Sequence, residues 1–205
     1  VIKTFGNLAK NISPESKAAL FESLNESSYW HFSTHGAFNT SSPEKSALQL
    51  TYGTSLPFYE IASLRTKRDL RLVVLSSCFA GAFDNVDRYG DFTGLPSAFL
   101  QLGAKGVVAN IWPVSDEASA LLMARFYEEH IWHDHEPAIA LSAAQRWLAS
   151  ATAGGLIEKL EHDLTDRRIT EASARELLGA LRRVPASEQP FAHPFYWGGY
   201  VLYGR

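Results

Sequence analysis

The chain has 205 residues, enough for one full hydrophobic core but short for two. Hydrophobic residues make up 46% and charged residues 20%, as in an ordinary soluble globular domain. The formal net charge of −3 argues against direct binding of nucleic acid, which usually needs a basic excess. No apolar stretch approaches a membrane span, the first residues lack the apolar region of a secretory signal, and a single cysteine excludes an internal disulfide. A reducing, cytoplasmic location without a membrane partner is therefore expected.

The first half of the chain is predicted to alternate between helices and short strands. A first helix is expected at 14–26, with Ser13 as its cap and Pro14 in its first turn. Apolar runs and turn residues then predict a strand at 29–34, a polar loop at 39–44, a hairpin of 47–50 with the segment near Leu56, a short helix at 61–64 and a strand at 72–76.

The second half is predicted to be richer in helix. Polar, acidic residues at 84–91 predict a mobile loop directly after the strand at 72–76. Further on, the pattern predicts a helix at 95–102, a strand at 106–112, helices at 115–130 and 137–151, a charged helical region at 156–183 and a strand at 196–203. Continuously apolar strands that alternate with helices indicate an α/β fold, with a mostly parallel sheet covered by helices on both faces.

Two of the predicted strands end in residues that could do chemistry. The only cysteine, Cys78, follows the strand at 72–76, and His35-Gly36 follows the strand at 29–34. If these strands are neighbours in one parallel sheet, both residues emerge at its carboxyl edge, where open α/β sheets place their active sites. A cysteine and a distant histidine could then act as nucleophile and base. The residues alone also allow simpler roles for both positions. Cys78 could be a small apolar side chain that only fills space, and Gly36 could belong to a plain turn.

Six segments, in order, resemble the motifs of CHAT domains, which are caspase-like cysteine proteases related to separase. The segments are Trp30–Gly36, Leu72–Cys78, Gly103–Asp116, Leu122–Tyr127, Ala140–Gln145 and His193–Gly204. They are spread over residues 29 to 204, and the resemblance depends on their order rather than on any one of them. It implies a caspase-like fold in the clan of caspases, metacaspases and gingipains. It implies no cofactor or metal, and the sequence contains no phosphate-binding or dinucleotide-binding glycine motif.

The resemblance implies that His35 and Cys78 form the catalytic dyad of an endopeptidase. His35 would take the proton of the Cys78 thiol and later protonate the leaving amine. The backbone N–H groups of Gly36 and Cys78 are the natural candidates for the oxyanion hole. CHAT domains usually carry an earlier, non-catalytic half, and 34 residues precede His35. The chain is therefore expected to be the catalytic half of a CHAT domain.

Asp116, at the junction of the strand at 106–112 and the helix at 115–130, is the candidate specificity residue. In separase-like relatives an aspartate at the matching place contacts a basic substrate side chain, so the resemblance implies cleavage after Arg or Lys. The same position also suits an acidic residue that only complements the dipole of the following helix.

The remaining histidines suggest structural roles or, in one place, a metal site. His31 is expected to be a core residue of the first strand, and His193 a structural residue near the last one. His130, His133 and His135 form a tight cluster that could bind zinc or could satisfy carbonyl groups at the end of a helix.

The resemblance also implies partners. The substrate would be a protein, and a regulatory partner or an upstream helical repeat domain would switch the protease on, notably in bacterial antiviral defence. Two rival functions remain open at this stage. One is a catalytically silent caspase-like interaction module, and the other is a different thiol chemistry, such as acyl transfer on a small molecule.

Overall fold

The computed structural model describes residues 16–34, 36–37, 45–50, 54–66, 69–76, 94–166 and 169–205. Within them the fold is α/β, as the sequence predicts. His35, Cys78 and both predicted polar loops, 39–44 and 84–91, lie outside the described residues. The chain divides into a sheet unit, drawn from residues 12–113 and 199–205, and a helical unit, Val114–Gly198. Among the described helices, none is both long enough and apolar enough to cross a bilayer.

Seven strands in the described part form two sheets. They are β1 (Tyr29–Phe32), β2 (Gly36–Ala37), β3 (Ala47–Gln49), β4 (Ser55–Pro57), β5 (Leu72–Leu75), β6 (Gly106–Asn110) and β7 (Tyr200–Gly204). The larger sheet has the order β1-β5-β6-β7, in which the first three strands are parallel and β7 is antiparallel to β6. The smaller sheet, β2-β3-β4, is antiparallel and contains the predicted hairpin.

Seven α-helices lie in the described part. They are α1 (Lys17–Leu24), α2 (Phe58–Ser63), α3 (Leu95–Leu102), α4 (Asp116–Tyr127), α5 (Pro137–Ser150), α6 (Ala153–Thr165) and α7 (Glu171–Leu181), with a π-helical turn at Glu128–Trp132 and a 3-10 turn at Pro194–Tyr196.

The core of the sheet unit lies on one face of the larger sheet. Because side chains alternate along a strand, every second residue of the three parallel strands points into this core: Trp30, Phe32, Val73, Leu75, Val107 and Ala109. Helices α1, α2 and α3 contribute further buried residues to it, among them Leu20, Ile61 and Phe99. All residues of β5 and β6 are buried, which explains why these strands read as continuous apolar runs.

Two helix starts in the sheet unit differ from the prediction. Helix α1 begins at Lys17 because the Ser16 hydroxyl accepts a hydrogen bond from the Ala19 N–H at 3.2 Å, so Ser16, and not Ser13, is its cap. Helix α2 begins at Phe58, three residues before the predicted start, directly after Pro57 ends β4. Helix α3 has the predicted bounds and ends at Gly103, whose φ of 110° is readily accessible only to glycine.

The helical unit differs from the prediction in two places. The predicted helix 115–130 stops being α-helical at Tyr127 and continues as the π-helical turn. The charged region 156–183 is two helices, α6 and α7, and Thr152 caps the first by accepting from the Gly155 N–H at 3.2 Å.

The last strand starts later than predicted. Residues 194–196 form a 3-10 turn that opens with Pro194, which has no N–H to donate to a sheet. His193 caps this turn by accepting a hydrogen bond from the Phe195 N–H at 3.1 Å, which confirms its structural role. Strand β7 begins only at Tyr200.

Candidate active site

The strands that lead to His35 and Cys78 are direct neighbours. β1 and β5 pair in parallel, with Phe32 opposite Leu75. His35 follows Phe32 by three positions, and Cys78 follows Leu75 by three positions. Parallel strands in this register direct the segments that follow them to the same edge of the sheet. The structure therefore meets the condition on which the sequence-based site depends, although the two residues themselves are not among those described.

Ser76, the residue directly after β5, makes two hydrogen bonds to β1. Its backbone N–H donates to the Phe32 carbonyl at 2.9 Å, which extends the strand pairing by one residue. Its Oγ lies 3.0 Å from Nε2 of His31. The second contact joins side chains on the face of the sheet opposite the core, since Trp30 and Phe32 occupy the core face.

His31 is exposed, so the prediction that it is a core residue is wrong. The physical reason is its place on β1, the outer strand of the sheet, with its side chain on the face away from the core. Protein atoms nevertheless crowd the ring and exclude water from part of it, which lowers the pKa of His31 to about 4. Water at the exposed edge screens some of this effect, and the imidazole is neutral near pH 7.

Both neighbours of His35 are anchored to β3. The Thr34 hydroxyl donates to the carbonyl of Gln49. Gly36 begins β2 and pairs with Leu48. Gly36 is therefore part of a short antiparallel strand and not of the plain turn considered as its alternative role.

Asn110 places a further polar group at the same edge of the sheet. It ends β6, the other neighbour of β5, and is only 3% exposed. Its side-chain amide donates to the Trp112 carbonyl at 3.0 Å, while its Oδ1 has no hydrogen-bond partner among the described residues. A buried acceptor without a partner costs about 1–3 kcal/mol.

Ser76 and Asn110 are polar residues at this edge of the sheet that the sequence analysis did not single out. Each is the polar residue that ends an otherwise apolar strand, Leu72–Leu75 for Ser76 and the run from Gly106 for Asn110. That signal is visible in the sequence, but without the strand order it does not show which residues meet.

Asp116 is the first residue of α4, directly after the cap Ser115, whose hydroxyl accepts from the Ala118 N–H at 3.2 Å. Its side chain is exposed. With Glu117 it forms an acidic first turn, so it does complement the helix dipole. Asp116 belongs to the helical unit, and its predicted role in specificity stays a prediction.

The histidine cluster of the helical unit surrounds a carboxylate. Nδ1 of His133 and Nδ1 of His135 lie 3.2 Å and 3.0 Å from Oε2 of Glu129, and Arg125 bonds the other oxygen of Glu129. Burial alone would raise the pKa of Glu129, but hydrogen bonding to His133 and the charge of Arg125 outweigh it and lower that pKa. The described residues contain no group of three or more side chains arranged to hold a metal ion.

Comparison with known families finds a match to this chain. The family model of the CHAT domain matches residues 7–205, nearly the whole chain. A comparison with curated proteins finds no match to this sequence.

Proposed function

Because this chain belongs to the CHAT domain family, we propose that it is a cysteine endopeptidase in which Cys78 attacks the peptide carbonyl and His35 transfers the proton. The family is caspase-like and related to cysteine proteases. The observation that carries the proposal is the parallel pairing of β1 with β5, with Phe32 opposite Leu75. Parallel neighbours end at the same edge of a sheet, which supports a site that uses His35 and Cys78 together.

The chemistry of the dyad follows from the pKa of a thiol. An unperturbed cysteine has a pKa of about 8.5 and is only a few per cent thiolate at neutral pH. His35 would accept the thiol proton or, as imidazolium, stabilise the thiolate. After the attack it would protonate the leaving amine, and water would then hydrolyse the acyl-enzyme.

The developing oxyanion needs donors that are already in position. We assign this role to the backbone N–H groups of Gly36 and Cys78. The pairing of Gly36 with Leu48 in β2-β3 supports the assignment, because it fixes the strand that Gly36 begins. Asp116 would pair with a basic side chain before the cleaved bond, and its exposed carboxylate at the start of α4 is compatible with contact to a substrate.

The substrate would be a protein, and a larger protein or a partner would regulate cleavage, in a setting such as bacterial antiviral defence. A partner can activate the site only by binding the active form more tightly than the inactive form. The expected signature is low turnover by the 205-residue chain alone and higher turnover in complex with the regulator. Equal turnover in the two samples would remove regulation from the proposal.

Peptide hydrolysis by variants tests the assignment. Cys78→Ala and His35→Ala should each abolish cleavage and leave the thermal unfolding temperature nearly unchanged, since alanine replaces a thiol at small packing cost. His162→Ala is a matched control, because His162 is an exposed histidine on α6, with a side chain 66% exposed. Cleavage by Cys78→Ala at the wild-type rate would refute the endopeptidase. A wild type that hydrolyses no peptide would instead favour the catalytically silent interaction module.

A further inference from the structure

We propose that the exposed segment after α7 is a processing site, at which a second copy of this chain hydrolyses the peptide bond between Arg183 and Val184. The inference rests on the proposed function, including cleavage after a basic residue, and it names a substrate for that activity. The thiol of the acting copy forms an acyl-enzyme with the Arg183 carbonyl, and Val184 leaves as a free amine. Water then hydrolyses the acyl-enzyme, which restores the thiol and leaves Arg183 with a carboxylate.

The segment that follows α7 is irregular and open to solvent. Helix α7 ends at Leu181, and the next regular element is the 3-10 turn that begins at Pro194. Between them, residues 182–193 form neither helix nor strand. Every residue of 182–189 is exposed except Val184, which is partly buried. Exposed loops of this kind are preferred sites of proteolytic cleavage, because their backbone can open locally to enter an active site.

Weak contacts hold the bond that is to be cut. The Arg182 guanidinium bonds Glu161 on α6 at 2.8 Å, but the two side chains are 59% and 51% exposed. Exposed pairs of this kind contribute about 0–1 kcal/mol. The N–H groups of Arg183 and Val184 each donate to the carbonyl three residues earlier, at 3.1 Å, and a backbone hydrogen bond contributes about 0.5–1.5 kcal/mol. Opening this turn therefore costs far less than unfolding a packed helix.

Two other exposed basic residues lie on backbone that is harder to open. Arg175 is in the middle of α7, and the leucines of that helix are buried, so a cut there requires the helix to leave its packed position. Lys105 donates its N–H to the Leu70 carbonyl at 3.0 Å, and its own carbonyl accepts from the Arg205 N–H at 2.9 Å. An exposed basic side chain alone is thus not sufficient, and the segment after α7 combines it with open backbone.

The two products should stay together after the cut. The carbonyl groups of Ala186 and Glu188 accept hydrogen bonds from the first N–H groups of α6, at 2.9 Å and 2.8 Å, which satisfies donors that a helix start leaves unpaired. The side-chain amide of Gln189 donates to the Ser150 carbonyl at 3.2 Å. Further along, β7 pairs with β6 along its whole length. Processing therefore nicks the chain without releasing residues 184–205.

The Cys78→Ala chain is the substrate for the test, because it lacks the only thiol and cannot cut itself. In the first measurement it is digested briefly with trypsin, which also cuts after Arg and Lys, to find the basic site that opens first. In the second it is incubated with the wild type, whose hydrolysis of an arginine peptide is followed in the same sample.

Intact mass identifies the fragments, and the missing sulfur distinguishes those of the Cys78→Ala chain from those of the wild type. Native size exclusion shows whether the two fragments stay together. Arg183→Gln in the Cys78→Ala background removes the basic side chain before the bond. Arg175→Gln in the same background is the matched control, because it removes an exposed arginine of α7.

Trypsin should cut first within residues 182–189. The wild type should cut the Cys78→Ala chain into residues 1–183 and 184–205, and the fragments should elute together. Arg183→Gln should lose the cut made by the wild type, and Arg175→Gln should be cut at the unchanged rate.

A first trypsin cut elsewhere in the chain would overturn the open segment, and a cut by the wild type that persists in Arg183→Gln would overturn the assigned bond. A wild type that cuts itself but leaves the Cys78→Ala chain intact would overturn the role of a second copy. If the wild type hydrolyses the peptide and neither chain is cut, the processing site fails while the proposed function stands. A wild type that hydrolyses no peptide removes the proposed function, and this inference with it.

Discussion

Replacing Lys159 by methionine should strongly destabilise the helical unit, because the change leaves two buried carboxylates without the cation they share. Nζ of Lys159 on α6 lies 2.6 Å from Oε1 of Glu128 and 3.1 Å from Oδ2 of Asp163. Glu128 is 6% exposed and Asp163 is 7% exposed. Water cannot take over the role of the lost ammonium group at such sites.

Removing one partner of a buried ion pair lowers the free energy of unfolding by about 3–5 kcal/mol. Arg125 lies 3.5 Å from the second oxygen of Glu128 and compensates part of the charge there. We therefore expect a loss near the lower limit, about 3 kcal/mol. Urea unfolding of the wild type and the variant, followed by far-UV circular dichroism, measures it.

Lys105→Met is the matched control. Lys105 also lies 2.6 Å from a carboxylate, that of Asp69, but the two side chains are 45% and 66% exposed. Exposed pairs of this kind contribute about 0–1 kcal/mol. Removing the carboxylate charges in the Lys159→Met background, with Glu128→Gln and Asp163→Asn, should restore part of the stability. Equal losses in Lys159→Met and Lys105→Met would refute the reasoning from burial.

Three further predictions concern a glycine contact, a buried carboxylate and substrate specificity. Gly199→Ala should cost about 1–3 kcal/mol, because its Cβ would lie 2.9 Å from the Trp112 ring, whereas a Cβ at Gly179 meets nothing within 4 Å and should be tolerated. The pKa of Glu129 is lowered from its usual value of 4.5, so ionised Glu129 stabilises the fold at pH values above 4.5. This stabilisation is lost as the pH falls through the pKa that Glu129 has in the folded protein. A peptide library should show cleavage after Arg or Lys, and Asp116→Ala should weaken that preference strongly.

Each of these predictions has its own control and contrary result. Thermal unfolding compares Gly199→Ala with Gly179→Ala, and equal midpoints would contradict the close contact with Trp112. Between pH 6 and pH 3 the free energy of unfolding should fall less in Glu129→Gln than in the wild type. The same fall in both proteins would show that Glu129 does not cause the pH dependence of stability. Glu117→Ala removes the other acidic residue in the first turn of α4 and is the control for Asp116→Ala. An equal loss of the basic preference in both variants would mean that Asp116 acts only through the helix dipole.

The sequence predicted the elements that depend on local pattern. Strand β5 and helix α3 were placed correctly, since a continuous apolar run and a glycine at the helix end are local signals. The break at Tyr127 and the late start of β7 were missed. The π-helical turn buries Glu128 and Glu129, and such burial of charge depends on partners from elsewhere in the helical unit, notably Lys159.

The candidate site could be predicted only in part for the same reason. That Cys78 and His35 each follow a strand is visible in the sequence, but the pairing of β1 with β5 required the structure. The contact of His31 with Ser76 depends on that register and on β1 being the outer strand. An apolar context in the sequence made His31 look like a core residue, because the pattern does not show which face of a strand is open.

The central claim is that His35 activates Cys78 as a nucleophile. The pH dependence of Cys78 alkylation in the wild type and in His35→Ala tests it most directly, because the chain has no other thiol. The account predicts that the wild type reacts with a midpoint well below the usual cysteine pKa of about 8.5, and that His35→Ala shifts the midpoint back to that value. Identical profiles with a midpoint near 8.5 in both proteins would contradict the account.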